Sequence, residues 1–247
     1  GLGLKTPFGT FYSPNITPDK KTGIGGWTDA EFIRAMHRGL NPAGSNYFPV
    51  FPYTSFTRVS DDDLVAIKAY LDSIPAVDHQ NYENEALWPF SIRFLQWGWK
   101  LMFFEWTKGA YQYDTKQTQQ WNRGAYLVQG LGHCGECHTP RNLLGAMKTD
   151  YALTGAFVDG YYAPDITATG LQGASDQDVI NVFLKGDMLR GAGKVQGPMA
   201  EVNHMSLRYL TPQDLEAIVV YLKSVHSKEP PKSSSGKIGP STGMDVY

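Results

Sequence analysis

Three blocks of this chain occur twice, in the same order and at nearly the same spacing, and that duplication limits the fold more than any other feature. YSPNIT at 12–17 returns as YAPDIT at 162–167, an offset of 150. GWTDAEFIRAMHRG at 26–39 returns as GASDQDVINVFLKG at 173–186, an offset of 147. VSDDDLVAIKAYLDS at 59–73 returns as LTPQDLEAIVVYLKS at 210–224, an offset of 151. The chain is therefore read as one unit used nearly twice. A first repeat covers 1–77, an aromatic segment 78–116, a second repeat 117–226, and a polar Pro/Ser/Gly-rich linker 227–247.

The repeated blocks begin helices. Thr28, Ser60, Ser175 and Thr211 each precede a carboxylate by three positions, the pattern that satisfies first-turn N–H groups. Apolar residues at a spacing of three and four follow, such as Leu64, Ile67 and Leu71, and Leu215, Ile218 and Leu222. A further helix is predicted over 117–130, and no run alternates as a strand should, so the class is mostly α. Asp61, Asp62 and Asp63 sit at a helix start, where the dipole favours negative charge. Hydrophobic residues make up 42% of the chain, enough for a core, and the net charge of −2 without any basic block argues against nucleic acid as a partner.

The chemistry is concentrated in Cys134-Gly-Glu-Cys137-His138, the C-x-x-C-H sequence that attaches c-type haem. Two thiols three positions apart on one turn reach the two vinyl groups on one porphyrin edge, and the adjacent imidazole comes up beneath the iron. A thioredoxin-like dithiol would want a βαβ context, and a zinc site would want a second ligand pair; neither is legible. Pro140 lies two residues on, where its carbonyl is expected to accept the His138 N–H and orient the ring. The iron's other face calls for Met or His. Met199, in GPMAEV and 61 residues after His138, is preferred, with Met205 and His204 behind it and Met188 read as a core filler. It is expected in an irregular stretch between two helices. His37, His79, His133 and His226 lack partners at ligand spacing, and Gly191-Ala-Gly193-Lys194 is discounted as a phosphate loop.

With these residues on view, the chain resembles the multi-haem cytochrome c subunits of bacterial periplasmic dehydrogenase complexes, such as those of alcohol, gluconate or aldehyde dehydrogenases. The resemblance rests on 4–39, on WNRGAYLVQGLGHCGECHTPRN at 121–142, on YAPDIT and on GPMAEV, and it spans most of 4–225. It implies tandem class I cytochrome c-like domains, the first lacking its attachment motif in this chain. It also implies His138 and Met199 as axial pair, with Arg141, Tyr162 and Pro164 lining the haem or its propionates. The implied role is electron transfer from a catalytic dehydrogenase subunit to a downstream acceptor, in the periplasm and in possible association with the inner membrane. One covalent haem c is expected here, and a second only with residues upstream of Gly1. The family often carries Met in a Pro-x-Met-Pro-Tyr stretch, whereas this chain has Phe51 within Pro49-Val-Phe51-Pro-Tyr53. Met36 is left as a weak substitute ligand and a better core residue. The alternative is a haem enzyme with a labile distal site.

The segment 86–106 holds two aromatic stripes, Phe90, Phe94, Trp97, Leu101 and Phe104 on one line and Trp99, Phe103 and Trp106 on another. Arg93, Lys100 and Glu105 make it a poor membrane span. A helix apolar on two faces is expected to be buried between the repeats, with docking on a catalytic subunit or a membrane as the other readings.

Overall fold

Several helices start at the hydroxyl caps the sequence places, and two end at a glycine. A computed structural model describes residues 1–191 and 193–228, with Arg190 by its backbone alone. The helices are α1 (Asp29–Arg38), α2 (Tyr53–Phe56), α3 (Asp61–Ser73), α4 (Arg93–Phe103), α5 (Gln119–Tyr126), α6 (Gly135–His138), α7 (Asp176–Lys185), α8 (Gly197–Met205) and α9 (Pro212–Leu222). Thr28 and Ser175 close full capping boxes with Glu31 and Asp178. α1 and α7 both stop at a left-handed glycine, Gly39 (φ 57°) and Gly186 (φ 66°). Ser60 and Thr211 also cap, but their third-position carboxylates go elsewhere: Asp63 accepts from the Tyr126 hydroxyl and Asp214 pairs with Arg123 at 2.7 Å.

The expectation of no strands needs correction. β1 (Gly3–Thr6), β2 (Gly9–Tyr12) and β3 (Glu85–Ala86) form an antiparallel sheet in that order, and β4 (Ala156–Val158) pairs with β5 (Tyr161–Ala163). Strands of two to four residues are too short to carry an alternation signal. The helix predicted over 117–130 is α5 followed by a π-helical turn over Leu127–Leu131. The linker expected over 227–247 lies outside the described residues from 229 onward, while Ser227 hydrogen-bonds the Ala152 carbonyl at 2.6 Å.

The larger core lies in the second repeat. Leu215, Ile218, Val219 and Leu222 of α9 pack with Val179 and Phe183 of α7 and with Ala125, Leu127 and Val128. α5 crosses α9 at Gly124, where a Cβ would stand 1.9 Å from the Ala217 carbonyl oxygen. In the first repeat Ile24, Phe32, Val59 and Leu64 form a smaller cluster, with Met36 packed against it as expected of a core residue. The repeats adjoin directly. Gly130 backs onto Val59 and Arg58, and the Ser60 N–H donates to the Tyr126 hydroxyl at 3.2 Å.

The reading of 86–106 as a helix buried between the repeats holds for one face only: the Trp99 indole donates to the Leu144 carbonyl of the second repeat at 2.8 Å while Lys100 reaches the first. α4 turns Gln96 and Lys100 inward, both buried, with Trp99 and Phe103 half-buried beside them. Phe94, Trp97 and Leu101 face out, at 75%, 51% and 61% exposure. Lys100 sets this orientation. Its ammonium donates to the Arg38 carbonyl, to the Gly39 carbonyl at 3.0 Å and to Asn46 Oδ1 at 2.7 Å, and lies 4.7 Å from the centroid of the Tyr53 ring. Those carbonyls end α1, the negative pole of its dipole. Burial, with Arg38 nearby, brings the Lys100 pKa down to about 8, against which these oxygens hold the proton.

Replacing Lys100 with methionine is expected to cost about 3 kcal/mol, because the α1 terminus loses its charged donor. The pH dependence has a definite sign. Between about 8 and the free-lysine value of 10.5 the unfolded chain holds a proton that the folded chain releases, so stability rises with pH there. Urea unfolding at several pH values checks both effects; Lys100→Met should lack the rise.

Candidate haem attachment site

The attachment motif is built on a single helical turn. Cys134 precedes α6 in helical conformation, and the His138 N–H donates to its carbonyl at 3.0 Å. Both cysteines are free thiols, and burial pushes Cys134 up to about 12 and Cys137 upward as well. Neutral, unpaired thiols on one turn fit addition to vinyl groups.

His138 is 7% exposed, and its Nδ1 lies 2.7 Å from the Pro164 carbonyl. The oxygen can only accept, so Nδ1 carries the proton and Nε2 keeps its lone pair for a metal. Burial lowers the His138 pKa and the Pro164 carbonyl works against this; the net direction favours the neutral imidazole that ligates. The expected role of Pro140 is thereby corrected. Its carbonyl accepts from the Lys148 N–H at 2.8 Å, because the chain turns into a Pro140–Lys148 loop and leaves the imidazole facing YAPDIT. The repeated YxPxIT block thus supplies the histidine's partner, through its proline.

Met199 lies in the first turn of α8, not in an irregular stretch. Pro198 near the start of the helix explains this, since its fixed φ suits the first turn and needs no N–H there. Met199 packs against the same core cluster as Cys134 and Leu131. The other candidates do not. Met205 is 70% exposed and the His204 ring engages Arg208 at 3.2 Å. Met188, read as a core filler, is an exposed residue past the end of α7. Behind Met199, Gly197 (φ 57°) receives the Tyr161 ring where a Cβ would stand 2.7 Å away, so the chain passes close to an aromatic face.

Arg141 donates to the Gly145 carbonyl at 2.7 Å and pairs with Glu136, which keeps the guanidinium at the attachment turn. Tyr162 is exposed on β5 and packs on Phe157, with ring centroids 5.1 Å apart. His37 Nε2 bonds the Val59 carbonyl at 2.8 Å, and the His133 ring sits edge-on to Phe56 at 5.4 Å. Among the described residues, no group of three His, Cys, Asp or Glu side chains is arranged for a metal ion.

Glu136 escaped the sequence reading. Its carboxylate accepts from Ser55 Oγ at 2.7 Å and Thr54 Oγ1 at 3.2 Å, both in α2 of the first repeat. The variable position inside the motif thus joins the two repeats. No local pattern announces a pairing across some eighty residues; only the choice of a charged residue between the two thiols hints at it.

Comparison with curated proteins gives the context. No family model matches the chain. It is 42% identical over 249 residues to a subunit of the nicotinate dehydrogenase of Pseudomonas putida, covering 100% of this chain and 20% of that protein. It is 38% identical over 241 residues to the fructose dehydrogenase cytochrome subunit of Gluconobacter japonicus, covering 96% of this chain and 48% of the relative. It is also 38% identical over 231 residues to a diheme cytochrome c-type protein of Cereibacter sphaeroides, covering 93% and 76%. The chain therefore spans from a fifth to about half the length of the first two relatives. With three quarters of the diheme protein covered, and dehydrogenase cytochrome subunits matching over nearly all of this sequence, the chain belongs to the cytochrome c family that includes that diheme protein and the cytochrome c subunits of alcohol, fructose and gluconate dehydrogenases.

Proposed function

We propose that this chain carries one covalent haem c in its second repeat, bound through Cys134 and Cys137 and held by His138 and Met199, and relays electrons from a catalytic dehydrogenase subunit to a downstream acceptor. The single observation behind this is the buried His138 imidazole, its Nδ1 2.7 Å from the Pro164 carbonyl, on the same turn as two free thiols. Held by these residues, haem c would supply a one-electron couple.

The chain's own residues do the rest. Pro164 holds the imidazole in one tautomer and one orientation. Leu131 and Met199 pack with Cys134 against the α5–α9 core, which gives the site an apolar wall. Arg141 and Glu136 fix the turn, so the donor atoms need little rearrangement when charge changes. The reading divides the chain into cytochrome c-like units at 1–77 and 117–226 joined by 78–116, and sets it to work in the periplasm beside the inner membrane.

Mass spectrometry of the protein matured in a haem-attaching periplasm tests this. One haem should be found, on the peptide holding Cys134 and Cys137, and substrate plus a cognate dehydrogenase should reduce it. Absence of haem, or oxidation of alcohols or sugars by the chain alone, would overturn the proposal.

A further inference from the structure

Glu136 brings a charge to a place where a neutral hydrogen-bond acceptor would suffice. It occupies the second variable position of the attachment motif, and its side chain is only 12% exposed. One carboxylate oxygen accepts from Ser55 Oγ at 2.7 Å and Thr54 Oγ1 at 3.2 Å, while the other pairs with the Arg141 guanidinium. All three partners donate, as an ionised carboxylate requires. Holding α2 against the turn needs no charge, however. An amide oxygen would accept the same two hydroxyl protons without taking an ion out of water.

Arg141 does not cancel this charge. The guanidinium is 39% exposed against 12% for the carboxylate, so water screens the positive end of the pair more than the negative end. Arg141 is also tied to the following loop, through the Gly145 carbonyl at 2.7 Å. Glu136 is fixed within the turn that carries Cys134, Cys137 and His138, beside the apolar wall to which Leu131 and Met199 contribute. The pair therefore presents a net negative field to the attachment site. Such a field opposes the arrival of an electron at iron, because the ferric form carries one more unit of positive charge than the ferrous form.

We propose that Glu136 lowers the reduction potential of haem bound at this turn, and that the first repeat, through Ser55 and Thr54, keeps its charge in place. This rests on the haem reading above. Thioether ligation draws the potential up; Glu136 opposes it, so that an electron taken from a dehydrogenase subunit leaves more readily for the acceptor.

Potentiometric titration of the matured protein tests this with Glu136→Gln and Arg141→Gln. Glutamine has nearly the same shape and still accepts from Ser55 and Thr54, so the link to α2 survives. Reduction of Glu136→Gln should be favoured about tenfold over the wild type, a rise of ~59 mV for one electron. Arg141→Gln should shift the midpoint the other way by a smaller factor, about threefold, and added salt should erode that shift first. The opposed signs separate charge from structure. A turn loosened by either substitution would admit water, which favours the more highly charged ferric form, and both midpoints would fall. A Glu136→Gln midpoint at or below that of the wild type, or shifts of the same sign in both variants, would overturn the proposal while leaving the haem assignment intact. A wild-type protein without haem, read by mass spectrometry of the same samples, would overturn both.

Discussion

Met199→Ala is expected to remove the weak absorption band that a thioether gives ferric iron near the red end of the visible spectrum. The reduced variant should then bind carbon monoxide, which the wild-type protein should not. Its reduction potential should fall, because thioether ligation favours the ferrous state. Met205→Ala and Met188→Ala should leave the band intact, since both side chains are largely exposed and Met199 alone of the three packs against the core shared with Cys134. Loss of the band from Met205→Ala with retention in Met199→Ala would move the ligand without disturbing the attachment site. A spectrum and a potentiometric titration of each variant suffice.

The second large effect concerns the crossing of α5 and α9. Gly124→Ala puts a methyl 1.9 Å from the Ala217 carbonyl oxygen and 2.8 Å from Tyr221 Cβ. The first of these is backbone inside a helix and cannot swing aside, so the helices must separate along the best-packed seam of the second repeat. The expected cost is about 3 kcal/mol or more, and the thermal midpoint should drop by roughly 10 °C. Gly98→Ala in α4 is the control. A Cβ there meets nothing within 4 Å, and alanine should stabilise by about 0.5–1 kcal/mol. Circular dichroism melts of both variants check the pair; equal melting temperatures would mean that Gly124 is not the crossing point.

What the sequence makes legible here is local. Hydroxyl caps, third-position carboxylates and terminal glycines are short-range devices, and Thr28, Ser60, Ser175 and Thr211 all cap where they were expected to. The attachment motif is local too, which is why it needs no fold to be recognised. The partner of His138 is not local. Pro140 and Pro164 both carry carbonyls able to accept the imidazole proton, and only the path of the chain between them decides which one faces it. Periodicity likewise found both stripes of α4 but carries no sign. It cannot tell which stripe turns inward when the deciding interaction is a lysine reaching the end of a helix some sixty residues away. The short strands failed for a simpler reason, since two to four residues hold too little alternation to see.

The junction at Glu136 bears on modularity. Duplicated chains invite the view that each repeat is a portable cassette, to be cut at its boundary and grafted as a redox module. Excising 117–226 here would strip Glu136 of Ser55 and Thr54, Tyr126 of Asp63 and Ser60, and Gly130 of the backbone it rests on. The smallest interchangeable piece is therefore larger than the unit that was duplicated. Recombination that respects this chain's architecture must carry α2 and the start of α3 along with the attachment turn they support.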